Sequence, residues 1–157
     1  MGLLYSKQAL RPQGVETASG KYCKLILTAR SGSGIGDLLR QLAEQDYCVG
    51  TAVSTDVHRC DTARVVSDNA FLNLGPELMF RQDQMSTKYG FTRDNFEKAD
   101  VMVLEPSAVR FVRSDQAQHP LLVIYIDVAE ETRAKNLVAH GWTDAEIYHV
   151  IMNDRVR

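Results

Sequence analysis

Residues 24–42 constrain the fold more than any other part of the chain. An apolar run at residues 25–27 leads into a loop with three glycines in five residues, and a helical pattern follows it. In such an arrangement the glycines let backbone N–H groups approach an anion, and the positive end of the helix faces that anion. The sequence therefore predicts a phosphate-binding loop between a strand and a helix.

The loop departs from the usual motif, G-x-x-x-x-G-K-[ST], in which the lysine contacts phosphates and the hydroxyl holds Mg²⁺. In the corresponding frame Ile35 replaces the lysine and Gly36 replaces the hydroxyl residue, while Asp37 adds a charge that repels a nucleotide phosphate. Arg30 is the candidate for a relocated cation, with an ordinary surface arginine as the alternative. The predicted phosphate loop comprises Arg30, Ser31, Gly32, Ser33, Gly34, Ile35, Gly36 and Asp37.

The composition excludes several classes of protein. The 157-residue chain has a formal net charge of −2, so no basic surface for nucleic acid is indicated. Its three cysteines lack C-x-x-C spacing, which indicates reduced thiols and a cytoplasmic protein. No apolar run reaches the roughly 18–20 residues of a membrane span. The N-terminus fits the M-G-x-x-x-[ST] pattern for N-myristoylation of Gly2, but so short a pattern arises easily by chance, and we expect no membrane attachment.

Apolar runs alternate with helical patterns along the chain. Residues 1–20 are polar and irregular and predict a flexible leader, and residues 21–157 predict one domain. Within that domain we expect strands at residues 22–28, 47–53, 101–104 and 121–126, a turn at residues 88–91, and helices at residues 36–45, 68–74, 93–98, 106–113 and 130–140 and from residue 144 onward. This alternation predicts an α/β fold with a three-layer, doubly wound parallel sheet that binds ligands at the carboxyl ends of its strands.

Glu105 directly follows the apolar run at residues 101–104. An acid at the end of such a strand, downstream of a phosphate loop, commonly holds Mg²⁺ or its waters. The alternative interpretation is a solvent-facing acid at the terminus of a strand.

Several motifs, in their order along the chain, resemble those of the guanylate kinase family. The motifs are the strand and loop at residues 27–34 with Leu38-Leu39, then Tyr89-Gly90-Phe91-Thr92, then VLEPSAVR at residues 103–110, and finally a fourth strand, Gly141 and the capped helix from Thr143. The resemblance covers roughly residues 22–157. It implies a P-loop nucleoside monophosphate kinase fold with a lid at about residues 129–157, and it implies that the family's C-terminal strand is missing.

The resemblance also implies roles for individual residues. Tyr89 would hydrogen-bond the phosphate of the acceptor nucleotide, and Glu105 would lie at the metal and acceptor site. Thr55 and Arg59, with Arg64 as a second arginine, would grip the same phosphate, although ordinary exposed arginines are the alternative. The family's selectivity for guanine does not carry over to this chain. Phe80 occupies the position of the acid that binds guanine in the family, with the acids Glu77 and Asp83 nearby. The predicted monophosphate site thus comprises Thr55, Arg59, Arg64, Asp83, Tyr89 and Glu105.

The donor side lacks the cations that phosphoryl transfer requires. Family lids present arginines to the transferring group, whereas the aligned positions here are Asn136, His140 and Val150. Each missing charge-assisted donor costs about 2–4 kcal/mol, or 10²–10³ in rate.

We therefore predict a non-catalytic or severely impaired guanylate kinase-like protein that binds GMP, dGMP or a phosphorylated partner. One alternative is an active kinase of (d)GMP or another (d)NMP that uses ATP and Mg²⁺, with Arg30 and Glu105 as catalytic residues. A second is a peptide- or protein-binding module on the same fold, and a third places the function in the leader.

Overall fold

The computed structural model describes residues 14–16, 18, 20–59, 62–84, 86–114 and 120–156. The strands are β1 (Val15–Glu16), β2 (Tyr22–Ala29), β3 (Val49–Gly50), β4 (Ala52–Ser54), β5 (Ala63–Val65), β6 (Leu78–Gln84), β7 (Thr87–Thr92), β8 (Val101–Val103) and β9 (Leu121–Ile126). The helices are α1 (Ile35–Glu44), α2 (Asp68–Asn73), α3 (Arg93–Lys98), α4 (Pro106–Ser114), α5 (Glu130–Ala139) and α6 (Asp144–Val156), with 3₁₀ turns at Val57–Arg59 and Gly75–Glu77. None of the described helices is long and apolar enough to cross a membrane.

A parallel sheet in the order β3-β8-β2-β9 forms the centre of the fold, and β1 pairs antiparallel with β2. Alternate residues of a strand face opposite sides of its sheet. On one side of β2, Leu27 packs with Ile35 and Leu39 of α1. On the other side, Ile26 belongs to the cluster that includes Val112 of α4. Helices therefore cover both faces of the parallel sheet, as the apolar runs predict.

A second sheet, in the order β5-β4-β7-β6, corrects the prediction of a single doubly wound parallel sheet. Only β4 and β5 are parallel within it, and the other pairs are antiparallel. The predicted strand at residues 47–53 is divided between the two sheets, as β3 and β4. The fold is thus mixed α/β, with parallel and antiparallel sheets.

The predicted turn at residues 88–91 is wrong, because these residues form most of β7. Gly90 suggested a turn, but its role is to permit close approach of two strands. A Cβ atom at this position would lie 2.5 Å from the carbonyl oxygen of Phe80 in β6. A glycine inside a strand often marks such a contact.

Two predicted helix starts are confirmed by their capping hydrogen bonds. The Thr92 hydroxyl accepts from the N–H of Asn95 at 3.2 Å at the start of α3. Before α6, the N–H of Thr143 donates to the Glu146 carboxylate at 2.8 Å, and the N–H of Glu146 donates to the Thr143 hydroxyl at 3.3 Å. These reciprocal bonds form a capping box.

Two buried charged side chains anchor the base of the parallel sheet. Lys24, 3% exposed, donates from Nζ to the carbonyl oxygens of Phe96 and Ala99 at the end of α3. Burial lowers the pKa of this lysine. Asp100, 4% exposed, accepts from the N–H groups of Gly14 at 2.6 Å and Cys48 at 2.7 Å.

The predicted leader overlaps the described fold at its end. Residues 14–16 lie within it, and Val15–Glu16 pair with β2. Residues 1–13, including the Gly2 acylation pattern, and the C-terminal Arg157 lie outside the described residues. The boundary at residue 20 and the missing C-terminal strand stay predictions.

Candidate functional site

A cleft of about 1090 Å³ opens at the carboxyl ends of β2 and β8. Its walls come from the loop at residues 29–37, from residues 103–107 and from the region of α5 and α6. Strand order reverses at this point, because β8 lies on one side of β2 and β9 on the other. Open α/β sheets bind ligands at such a position.

The predicted phosphate loop lines the cleft and enters α1 through glycines in left-handed conformations. Gly32 has a φ of 81° and Gly34, the N-cap of α1, has a φ of 76°. No side chain caps this helix. The N–H groups of its first turn therefore have no side-chain capping partner. Ile35 is buried with Leu27 and Leu39, so the side chain at the lysine position belongs to the core.

The loop carbonyls are held by α5. Arg133 donates from Nε to the carbonyl oxygen of Ser31 at 2.9 Å, and Asn136 donates to that of Gly32 at 2.7 Å. The Arg133 guanidinium also pairs with Asp154 of α6 and is 2% exposed. Arg133, which lies in the predicted lid region, is thus engaged with the loop and with α6.

Three of the predicted acceptor residues, Arg59, Tyr89 and Glu105, meet in one cluster. The N–H of Glu105 donates to the Tyr89 hydroxyl at 3.1 Å, and burial raises the pKa of that phenol. The Arg59 guanidinium lies 5.2 Å from the centre of the Tyr89 ring. It forms an ion pair with Glu105, and its Nε lies 3.6 Å from an oxygen of Asp56. A cation, a phenol and a carboxylate therefore face the cleft together.

The structure does not bring Thr55, Arg64 and Asp83 to the cleft wall, as far as the described residues define it. The Thr55 hydroxyl accepts from the N–H of Lys88 at 2.8 Å, and Arg64 is exposed on β5. Asp83 accepts two hydrogen bonds from Arg81, both at 2.9 Å, and these hold its pKa below the usual range.

Each carboxylate among the described cleft residues is paired with an arginine. The pairs are Asp37 with Arg40, Glu105 with Arg59, and Asp154 with Arg133. Over the described ranges, no group of three or more His, Cys, Asp or Glu side chains is placed to hold a metal ion.

Arg30 is exposed and also lines the cleft. Its charge acts on Glu130, which pairs with Arg155. The hydrogen bond from Arg155 holds the pKa of Glu130 below its usual range, and the charges of Arg155, Arg133 and Arg30 lower it further. Arg30 thus brings positive charge to the loop side of the cleft.

Sequence reasoning missed four residues that line the cleft. His58 contacts residues around the start of α6, since its ring centre lies 4.5 Å from that of Trp142 and its Nε2 lies 3.3 Å from the Glu146 carboxylate. Gln82 and Ser107 are hydrogen-bonded to each other. The sequence signal that could have indicated Gln82 was the alternation of side chains along β6, but the secondary structure of this segment is ambiguous in the sequence.

The structure is similar to the crystal structure of guanylate kinase from Anaplasma phagocytophilum, with a TM-score of 0.49 and 18% sequence identity, over 85% of this chain and 82% of that one. No protein-family model matches the chain, and no curated protein matches it.

Proposed function

We propose that the protein binds a nucleoside monophosphate, such as GMP or dGMP, or another phosphorylated ligand in this cleft, and that it transfers phosphoryl groups poorly or not at all. The observation that carries the proposal is the Arg59–Tyr89–Glu105 cluster, which faces a glycine loop across the same cleft. Arginine and a helix N-terminus are suited to binding phosphate oxygens.

The donor side supports the second half of the proposal. Ile35 is part of the apolar core, and Gly36 has no hydroxyl. The buried lid arginine, Arg133, already donates to Ser31 and pairs with Asp154. Catalysis of phosphoryl transfer depends on cations positioned at the developing charge.

The residues present do not favour a resident Mg²⁺ ion. Hard divalent cations take oxygen ligands from carboxylates and hydroxyls. The carboxylate expected to fill that role, Glu105, pairs with Arg59 instead, and the position of the hydroxyl ligand is Gly36. We therefore assign no step that depends on Mg²⁺ or ATP.

A second candidate function is an active nucleoside monophosphate kinase. It is favoured by Arg30, an exposed cation on the loop side of the cleft. In this alternative Arg30 replaces the missing lysine, and Mg²⁺ and ATP are required as cosubstrates.

Calorimetric titration with GMP, dGMP and TMP, followed by Mg·ATP, separates these functions. The proposal predicts micromolar binding of a monophosphate and no ATP turnover. Arg59→Gln should weaken monophosphate binding about tenfold or more, because a hydrogen bond to a charged group is worth about 1.5–3 kcal/mol. Arg113→Gln, an exposed arginine of α4, is the matched control and should bind as the original protein does.

The other outcomes contradict the proposal. Tight Mg·ATP binding with turnover that is lost in Arg30→Gln would establish the kinase. Failure to bind every ligand would overturn nucleotide binding and favour a protein or peptide partner.

A further inference from the structure

Gln82 and Ser107 form a polar pair on the cleft wall that the phosphate-binding features do not use. The Ser107 hydroxyl donates to the Oε1 atom of Gln82 at 2.5 Å, and both residues line the cleft. Gln82 lies directly opposite Tyr89 in the β6–β7 pairing. Directly opposed residues of an antiparallel pair extend their side chains to the same face. The pair therefore lies beside the cluster of Arg59, Tyr89 and Glu105.

The hydrogen bond between the two side chains determines what they offer to a ligand. An amide side chain has one acceptor oxygen and two N–H donors, and a hydroxyl has one donor and two lone pairs. Because the Ser107 proton is directed to Gln82 Oε1, the two N–H donors of Gln82 and the lone pairs of Ser107 remain. Within the described residues, no other hydrogen bond is made by either side chain. The pair thus presents donors next to an acceptor, without net charge.

The nearby carboxylates are engaged elsewhere. Asp83, the next residue along β6, is bound by both nitrogens of the Arg81 fork. Glu105 is paired with Arg59. Phe80 stacks on Phe91 with ring centres 5.6 Å apart, in the aromatic part of the core. Before a ligand binds, these two carboxylates are therefore paired with arginines, and Gln82 and Ser107 are neutral polar groups beside Tyr89.

We propose that Gln82 and Ser107 read the base of the bound nucleotide and select an edge with a carbonyl next to an N–H group. Uracil, thymine, hypoxanthine and guanine all carry such an edge. The inference rests on the proposed binding of a nucleoside monophosphate. A carboxylate accepts two adjacent N–H groups, such as N1–H and the 2-amino group of guanine, whereas this neutral pair matches one donor and one acceptor. The guanine 2-amino group consequently adds no affinity, and IMP binds as tightly as GMP.

The test compares IMP, GMP and ribose 5-phosphate by calorimetry. IMP should bind at least about tenfold more tightly than ribose 5-phosphate, and the GMP and IMP dissociation constants should agree within about threefold. Gln82→Glu should favour GMP over IMP by about tenfold or more, because the new carboxylate accepts from the 2-amino group. Ser107→Ala should reduce the advantage of IMP over ribose 5-phosphate. Gln45→Glu and Ser114→Ala, exposed residues away from the cleft, are the matched controls.

Each remaining outcome overturns the inference in a recognisable way. If ribose 5-phosphate binds as tightly as IMP, or if GMP exceeds IMP by tenfold in the original protein, this pair does not read the base as proposed, and phosphate binding still stands. The same conclusion follows if Gln82→Glu and Ser107→Ala leave the ratios unchanged. If none of the three ligands binds, the proposed function fails and the inference fails with it. Affinity for ribose 5-phosphate shows whether each variant keeps the folded phosphate site.

Discussion

Arg133 of α5 donates to the carbonyl oxygen of Ser31 at 2.9 Å, and this hydrogen bond joins α5 to the predicted phosphate loop, 102 residues earlier. The same guanidinium pairs with Asp154 of α6. This buried side chain therefore couples the conformation of the loop to the packing of α5 and α6.

Replacing Arg133 with methionine should destabilise the protein by about 3–5 kcal/mol, because it leaves a partly buried carboxylate without its partner. Urea unfolding measures this loss. Lys135→Ala, an exposed residue of the same helix, should change stability by less than about 0.5 kcal/mol. Equal stability of the two variants would show that the Arg133 contacts contribute little.

Gly32 and Gly34 provide a matched pair of substitutions, because both have φ angles near 80°. An alanine at Gly34 meets open space, and the left-handed backbone alone should cost about 1–2 kcal/mol. An alanine at Gly32 would also place Cβ 2.6 Å from the carbonyl oxygen of Arg133. Thermal unfolding should therefore show a larger loss for Gly32→Ala. A larger loss for Gly34→Ala would contradict the close approach of the loop to α5.

Trp142 is the single tryptophan of the chain, so its fluorescence reports its contact with His58. His58→Ala should expose the indole, shift its emission to longer wavelength and increase quenching by acrylamide. His149→Ala, an exposed histidine of α6, should leave the emission unchanged. Identical spectra for the two variants would mean that His58 and Trp142 do not meet in solution.

Tyr89 should make stability depend on alkaline pH, because burial raises the pKa of its phenol above the ordinary value of 10.0. The unfolded chain releases this proton near pH 10, whereas the folded chain retains it. The stabilisation is therefore complete below pH 10 and is lost as the pH rises above it, at about 1.4 kcal/mol per pH unit.

Urea unfolding between pH 8 and 11 tests this expectation. The original protein should lose stability more steeply above pH 10 than Tyr89→Phe does, and Tyr148→Phe, an exposed position, should follow the original protein. Parallel curves for all three proteins would refute the role given to Tyr89.

Local patterns in the sequence predicted those parts of the fold that local forces determine. Residues close together in the sequence form the apolar runs of β8 and β9 and the helix caps at Thr92 and Thr143. The sequence did not predict β7, because a glycine such as Gly90 is equally typical of a turn and of a close contact between two strands. Lys24 interrupts an apolar strand, and only the fold shows that its ammonium group meets the carbonyls at the end of α3.

The candidate site was predictable only where motif order placed residues at the same edge of the sheet. Tyr89 and Glu105 follow from that order, and Arg59 joins them in the structure. The contact of Gln82 with Ser107 joins β6 of the second sheet to α4, and no local periodicity in the sequence predicts it. Such contacts depend on how the second sheet packs against the first.

The ion pair between Arg59 and Glu105 makes ligand binding at this cleft an exchange of anions. In the proposed function, a phosphate that binds Arg59 must displace the carboxylate that already neutralises it, and the released Glu105 then repels the bound phosphate unless its side chain moves away. We therefore expect the cleft to select by charge: a dianionic phosphate can compete with the internal carboxylate, whereas a singly charged anion gains little from the replacement.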